Sequence, residues 1–147
     1  MPHYFAYGSN LSSRQMLLRC PGASAIGPAR LTDYELAFTR PSRRWGGYAA
    51  DVVPAVGALV WGVAWEVTPM HLQQLDRYEG VAIAAYRRRN VHVTLPDGGT
   101  LNAITYAVVD PQDGGRPSPR YLHTILEGAR EHRLPGDWIR HLAALAP

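Results

Sequence analysis

Apolar positions along the chain fall into short runs with strand-like alternation, interrupted by turns and by four stretches that read as helices. His3 to Tyr7 is a buried-strand pattern that stops at Gly8-Ser9-Asn10. Ser12 to Arg19 predicts a short helix, with Asn10 or Ser12 as its cap and Pro21-Gly22 as its stop. Ile26 to Leu31 and Tyr34 to Thr39 are expected as short strands around a turn at Thr32-Asp33, followed by a loop over Arg40 to Gly47. Tyr48 to Val53 and Ala58 to Val67 follow as strands, and the second is apolar on both faces, which predicts a central place in the sheet. Thr68-Pro69 opens a helix that runs to Glu79, with Leu72, Leu75 and Tyr78 as its inward stripe and Gly80 as its stop. Tyr86 to Leu95 and Thr100 to Val109 alternate around Pro96-Asp97-Gly98-Gly99, a hairpin signal.

The C-terminal third is helical by pattern. Ser118-Pro119 caps a helix with Leu122, Ile125, Leu126 and Ala129 on one face. Leu134-Pro135-Gly136 breaks it, and Trp138, Ile139, Leu142 and Leu145 stripe a last helix. No repeat or low-complexity linker divides the chain, so residues 1–147 are read as one domain. Many short strands, one inserted helix and a terminal helical pair describe an α+β domain with a small, curled, barrel-like mixed sheet flanked by helices.

Two points carry candidate chemistry. A strand ending at Gly8-Ser9-Asn10 brings several backbone N–H groups and one hydroxyl to a single place, a cradle for a carboxylate or a polarised carbonyl. Glu79 lies at the last turn of its helix, where unsatisfied carbonyls carry the negative end of the dipole. A carboxylate there holds its proton more tightly, and the more so against an apolar wall, which suits a group that takes and returns a proton. Spacing alone leaves a solvated helix-end glutamate and an ordinary turn equally open. Ser9 lacks a G-x-S-x-G elbow and an assignable His–Asp pair, and Gly8 belongs to no phosphate loop. The six histidines have no ligand spacing, so no metal is expected. Tyrosines 4, 7, 86, 106 and 121 sit at element ends, where phenols pack with one satisfied hydroxyl or face a ligand.

In order, these pieces resemble the γ-glutamylcyclotransferase family. Tyr4-Phe5-Ala6-Tyr7-Gly8-Ser9-Asn10-Leu11 is similar to its signature loop. Ala29-Arg30-Leu31-x-Asp33-Tyr34-x-Leu36-x-Phe38 and Trp45-Gly46-Gly47-x-Ala49 resemble its second segment and its glycine loop. Val60-Trp61-Gly62-Val63-x-Trp65 precedes Leu75-Asp76-x-x-Glu79-Gly80-Val81, where the family's catalytic glutamate falls on Glu79. Pro117-Ser118-Pro119-x-Tyr121 and Gly128-Ala129-x-Glu131-x-x-Leu134-Pro135 resemble its C-terminal signature. The resemblance implies a γ-glutamyl cyclotransferase-like fold, Tyr4 to Leu11 with Tyr121 as the substrate contacts, and no metal or organic cofactor. It implies release of 5-oxoproline from a γ-glutamyl compound by attack of the α-amine on its own γ-carbonyl, with Glu79 as base and then acid. A γ-glutamylamine or natural-product-deprotecting cyclotransferase, and a non-catalytic binding module on the same fold, are the alternatives.

Composition narrows partners more than chemistry. A net charge of +3 and an apolar fraction of 46% suit an ordered soluble domain. Arginines gather at 40, 43 and 44 and at 87 to 89, without any nucleic-acid motif, so an anionic small molecule is the expected partner rather than nucleic acid. The loop from Arg40 to Trp45 is more basic than the family pattern leads one to expect, which points to an anionic or unusual leaving portion. Cys20 stands alone and reads as a small, partly buried hydrophobe, excluding an internal disulfide and fitting a reducing compartment. Without a secretory leader or a membrane-length apolar run, a cytoplasmic monomer or homodimer is expected.

Overall fold

The computed structural model describes residues 1–147. Five strands close into one barrel, β1 (His3–Ala6), β2 (Ser24–Pro41), β3 (Tyr48–Glu66), β4 (Tyr86–Thr94) and β5 (Thr100–Val108), in the order β1-β3-β2-β4-β5. β1 runs antiparallel to β3, with Phe5 opposite Ala64, and parallel to β5, with Tyr4 opposite Ile104. It is therefore the strand that closes the ring. β3 lies between β1 and β2, the central place its two apolar faces predict, with Val60, Val63, Ala64 and Trp65 all buried.

The expected pair of short hairpins between residues 26 and 67 is one long ribbon. β2 and β3 pair from Ser24–Glu66 to Pro41–Tyr48, and the loop at Ser42 to Gly47 is the real turn. Thr32-Asp33 is a bulge instead: the register shifts there, Asp33 has φ +64, and its carboxylate accepts a hydrogen bond from the Gly57 N–H at 3.0 Å. Aspartate tolerates that backbone because its short side chain bonds locally, so a turn signature bends the ribbon without ending it.

Helices α1 (Ser13–Arg19), α2 (Pro69–Tyr78), α3 (Pro119–Glu131) and α4 (Gly136–Ala143) pack around the barrel, with 3-10 turns at Ser9–Leu11 and Val81–Ile83. Ser12 caps α1 by accepting from the Gln15 N–H. Thr68 and His71 cap α2 reciprocally, with Pro69 at the first helical position. Leu72 and Leu75 are buried as expected, but Tyr78 is 44% exposed, drawn to the rim by arginines described below. Cys20 is fully buried.

α3 clamps the turn that follows β1. Ser12 Oγ donates to Glu127 Oε1 at 3.0 Å, and the Ser13 N–H donates to Glu131 Oε1 at 3.0 Å. Between these bonds the helix backbone at Gly128 approaches so closely that a Cβ would overlap the main chain of Leu11 and Ser12. Backbone on both sides leaves nothing to move aside. Gly128→Ala is expected to cost about 1–3 kcal/mol as an overpacking change, read as a lower urea midpoint with an unchanged m-value.

Candidate active site

A cavity of about 460 Å³ opens at the end of β1, a volume in the range of small-molecule sites. One wall is the strand end and its turn, contributing Tyr4, Tyr7, Gly8, Ser9 and Asn10. Glu79 and Gly80, at the end of α2, face the same space, as does Tyr121 from the first turn of α3. Phe5, Ala6 and Leu11, expected with the substrate segment, do not line it. They have no exposed surface: β1 spends its backbone on β3 and β5, Thr105 Oγ1 donates to the Phe5 carbonyl, and Leu11 lies under Gly128. They back the turn from behind.

Glu79 caps the C-terminus of α2, its own N–H donating to the Leu75 carbonyl at 2.8 Å, and Gly80 leaves the helix in the left-handed region at φ +64. That reversal turns the chain at the cavity. The protein's four ion pairs use Glu127, Asp76, Glu131 and Asp137, so the Glu79 carboxylate has no cationic partner. Burial pushes its pKa from 4.5 up to about 7, against the pull of Arg19 and Arg44.

Six tyrosines line this cavity, and hydrogen bonds sort five of them into two kinds. Tyr7 donates to the Tyr106 carbonyl, Tyr86 to the Ala50 carbonyl at 2.8 Å, and Tyr106 to Asp76 Oδ1 at 2.6 Å. Their protons are spent on protein. Tyr4 instead accepts from Asn10 Nδ2 at 3.0 Å, and Tyr121 accepts from the Ala50 N–H at 2.9 Å, so both keep an O–H free for the cavity. Burial raises both pKa values well above the ordinary phenol, with Glu79 adding to each, so they stay protonated donors. The Gly8 N–H likewise has no partner within the protein.

The basic loop forms the mouth. Arg40, Arg43, Arg44 and Trp45 line the cavity. Ser118 Oγ donates to the Trp45 carbonyl at 2.7 Å, Arg120 donates to the Arg44 carbonyl, and the Trp45 ring lies 5.0 Å from that of Tyr121. Gly47, at φ +60, sits so near Arg116 and Ser118 that a Cβ would come within 2.8 Å of their backbone. The loop is therefore held against the start of α3.

Several groups here were not singled out from the sequence. Asp51 is a buried carboxylate whose oxygens accept from Thr39 Oγ1 and the Val108 N–H, both at 2.9 Å, tying three strands together near Tyr7 and Tyr86. Burial raises its pKa despite those bonds. Tyr78 at the rim carries two guanidinium groups over its ring, Arg19 at 4.7 Å and Arg44 at 5.5 Å. The available signals were a lone aspartate in an alternating strand and an arginine three positions after the buried Met16.

Residues 59–142 match the AIG2-like family. Over 148 aligned positions the chain is 35% identical to the gamma-glutamylcyclotransferases of Bos taurus and Homo sapiens, covering 98% of this chain and 78% of each relative. The chain belongs to the gamma-glutamylcyclotransferase family. A solved structure described as a gamma-glutamyl cyclotransferase superposes on this family member with a TM-score of 0.95 at 34% identity, covering 99% of this chain and 88% of that one. YkqA from Bacillus subtilis follows at 0.84 and 26% identity, with 97% and 53% covered. A yeast gamma-glutamyl cyclotransferase specific to glutathione shares the fold at 15% identity and a TM-score of 0.64.

The raised pKa of Glu79 has a sign in this gamma-glutamylcyclotransferase-family fold. Its folded value lies above its unfolded one, so the folded state binds the extra proton and loses stability as pH rises from 4.5 through about 7. Glu79→Gln removes that loss. The variant is expected to exceed the parent by about 1–3 kcal/mol at pH 8 and to match it at pH 4, by denaturant unfolding at both values.

Proposed function

We propose that this chain cyclises γ-glutamyl compounds, releasing 5-oxoproline and a free amine or amino acid. The observation that carries the reading is an unpaired carboxylate of near-neutral affinity, in one cavity with a strand-end turn and two phenols that retain their protons. A bound γ-glutamyl group, folded back on itself, brings its α-amine within reach of its γ-carbonyl through a five-membered ring. Holding that geometry supplies effective molarities on the order of 10⁵ M or more.

Each transfer then has a group to perform it. Glu79 takes a proton from the α-ammonium, freeing the lone pair that attacks the γ-carbon. The new C–N bond closes the ring and charge collects on the carbonyl oxygen. The O–H groups of Tyr4 and Tyr121 and the amide at Gly8 are the donors available to that oxygen, and neither phenol has to ionise to serve. Collapse breaks the old C–N bond as Glu79 gives its proton to the departing nitrogen; the carboxylate then takes the surplus proton left on the ring nitrogen and passes it to the released amine, which departs as an ammonium. No step calls for electrons or a Lewis acid, so the chemistry needs no cofactor.

The leaving portion faces the basic loop, and an anionic leaving group is its natural complement. A small polar γ-glutamyl compound also agrees with a cytoplasmic setting and a single buried thiol. No helix of the protein is long and apolar enough to cross a membrane.

With γ-glutamyl-alanine, Glu79→Gln is expected to lower kcat by about 10²–10⁴-fold, the usual worth of a positioned acid–base group, while circular dichroism stays unchanged. Retained kcat overturns the role, and binding without 5-oxoproline release replaces the enzyme by a binding module. The parent's kcat/KM should fall as pH drops through about 7, because Glu79 must be ionised to act as base. Arg43→Ala and Arg44→Ala are expected to reduce the preference for γ-glutamyl-amino acids over neutral γ-glutamyl-amines by about two- to fivefold, the scale of exposed charge pairs. Unchanged ratios remove the loop from substrate selection.

A further inference from the structure

Arg19, the last residue of α1, is 7% exposed and lines the cavity, yet it pairs with no carboxylate. A guanidinium cannot shed its charge, and a buried cation without a counter-ion is costly. Its protein partners are all neutral. Nη1 donates to Asn10 Oδ1 at 3.1 Å, the Tyr78 ring lies 4.7 Å from Cζ, and the C-terminal carbonyls of α1 lend a partial negative charge. Nε is sealed from solvent with no acceptor, whereas Nη2 makes no hydrogen bond and is not sealed. The side chain is thus anchored at one nitrogen and offers another to the cavity.

Glu79 lines the same cavity and follows Tyr78, the ring on which Arg19 packs, and among the charges that act on Glu79 that of Arg19 is the strongest. One cation and one carboxylate, unpaired in one cavity, match the pattern of an amino acid's own α-carbon, which carries both an ammonium and a carboxylate. We infer that Arg19 binds the α-carboxylate of the γ-glutamyl group, beside the Glu79 that handles the neighbouring α-amine. This rests on the reaction proposed above. Asn10 joins Arg19 to Tyr4, since it accepts from the guanidinium and donates to the phenol. Arg40 and Arg43 of the loop are left for the leaving portion, while Arg44 shares the Tyr78 ring with Arg19.

The test compares γ-glutamyl-alanine with 4-aminobutyryl-alanine, which closes the same ring to 2-pyrrolidinone but lacks the α-carboxylate. Parent and Arg19→Met are assayed on both by alanine release, with Arg19→Lys and γ-glutamyl-ethylamine as further arms. Arg19→Met should lose about 10²-fold in kcat/KM on γ-glutamyl-alanine and change less than about threefold on the decarboxylated substrate. Arg19→Lys should recover about tenfold of the loss, and γ-glutamyl-ethylamine should show the same loss as γ-glutamyl-alanine. Equal losses on both alanine substrates overturn the proposal, because folding or a shift in Glu79 affects the two alike. A loss that vanishes with γ-glutamyl-ethylamine also overturns it, by assigning Arg19 to the leaving carboxylate. Should Arg19→Met fail to fold, a parent that processes the two alanine substrates equally well overturns it without any variant. A parent that releases 5-oxoproline from no γ-glutamyl substrate overturns the reaction itself, and Arg19's role with it.

Discussion

A half-buried carboxylate without an ion-pair partner is the constraint around which the site is arranged. Glu79 is held there by helix geometry: α2 ends at this residue, and Gly80 turns the chain away with a backbone that other residues adopt at a cost. Burial then does what a neighbouring negative charge does elsewhere, raising proton affinity into the neutral range. Every feature that preserves this state follows from it. Ion-pairing is directed elsewhere, with Asp76 locked to Arg88 in a bidentate pair and to the Tyr106 hydroxyl. The cavity's arginines act on it without closing an ion pair, and the phenols around it present polar tips without adding counter-charge.

The phenols also show how a barrel converts strand irregularity into binding capacity. Where β2 and β3 shift register between Phe38 and Arg40, both peptide groups of Ala50 turn to tyrosines, its N–H to Tyr121 and its carbonyl to Tyr86. One peptide thereby sets opposite hydrogen-bond polarity in two rings from different elements. Tyr121 is left with a proton to give, and Tyr86 is not. A regular ladder at this position would have engaged the Ala50 backbone and left both hydroxyls to rotate freely.

Legibility in the sequence followed the range of the physics. Helix ends, caps and the Pro96–Gly99 hairpin are local, and Thr68-Pro69, Ser118-Pro119 and Gly80 act in the fold as their chemistry dictates. Glu79 and the Gly8–Asn10 turn were readable for the same reason, because a dipole end and a strand-end turn are properties of a few adjacent residues. Whether they share a cavity depends on β1 pairing with two distant strands, and no spacing encodes that. Thr32-Asp33 misled because an aspartate in the left-handed region serves a bulge as readily as a turn, and the choice falls to pairing between residues 24–41 and 48–66. Tyr78 misled because helical periodicity does not register two arginines drawn to its ring. Arg19 escaped notice because its meaning lies in a missing counter-charge, visible only once the neighbours are in place.

The parallel seam between β1 and β5 carries a consequence for biosynthesis. The first strand made finds its neighbours only near residues 63–66 and 104, and the turn behind it is pinned still later by Gly128. The N-terminal segment, with Tyr4, Phe5 and Tyr7, therefore has no strand partner until residue 66 is made and only one until residue 104. Such late, long-range ring closure makes for slow maturation. It also means that a product terminated before residue 121 lacks one wall of the reaction chamber and the phenol of Tyr121 with it.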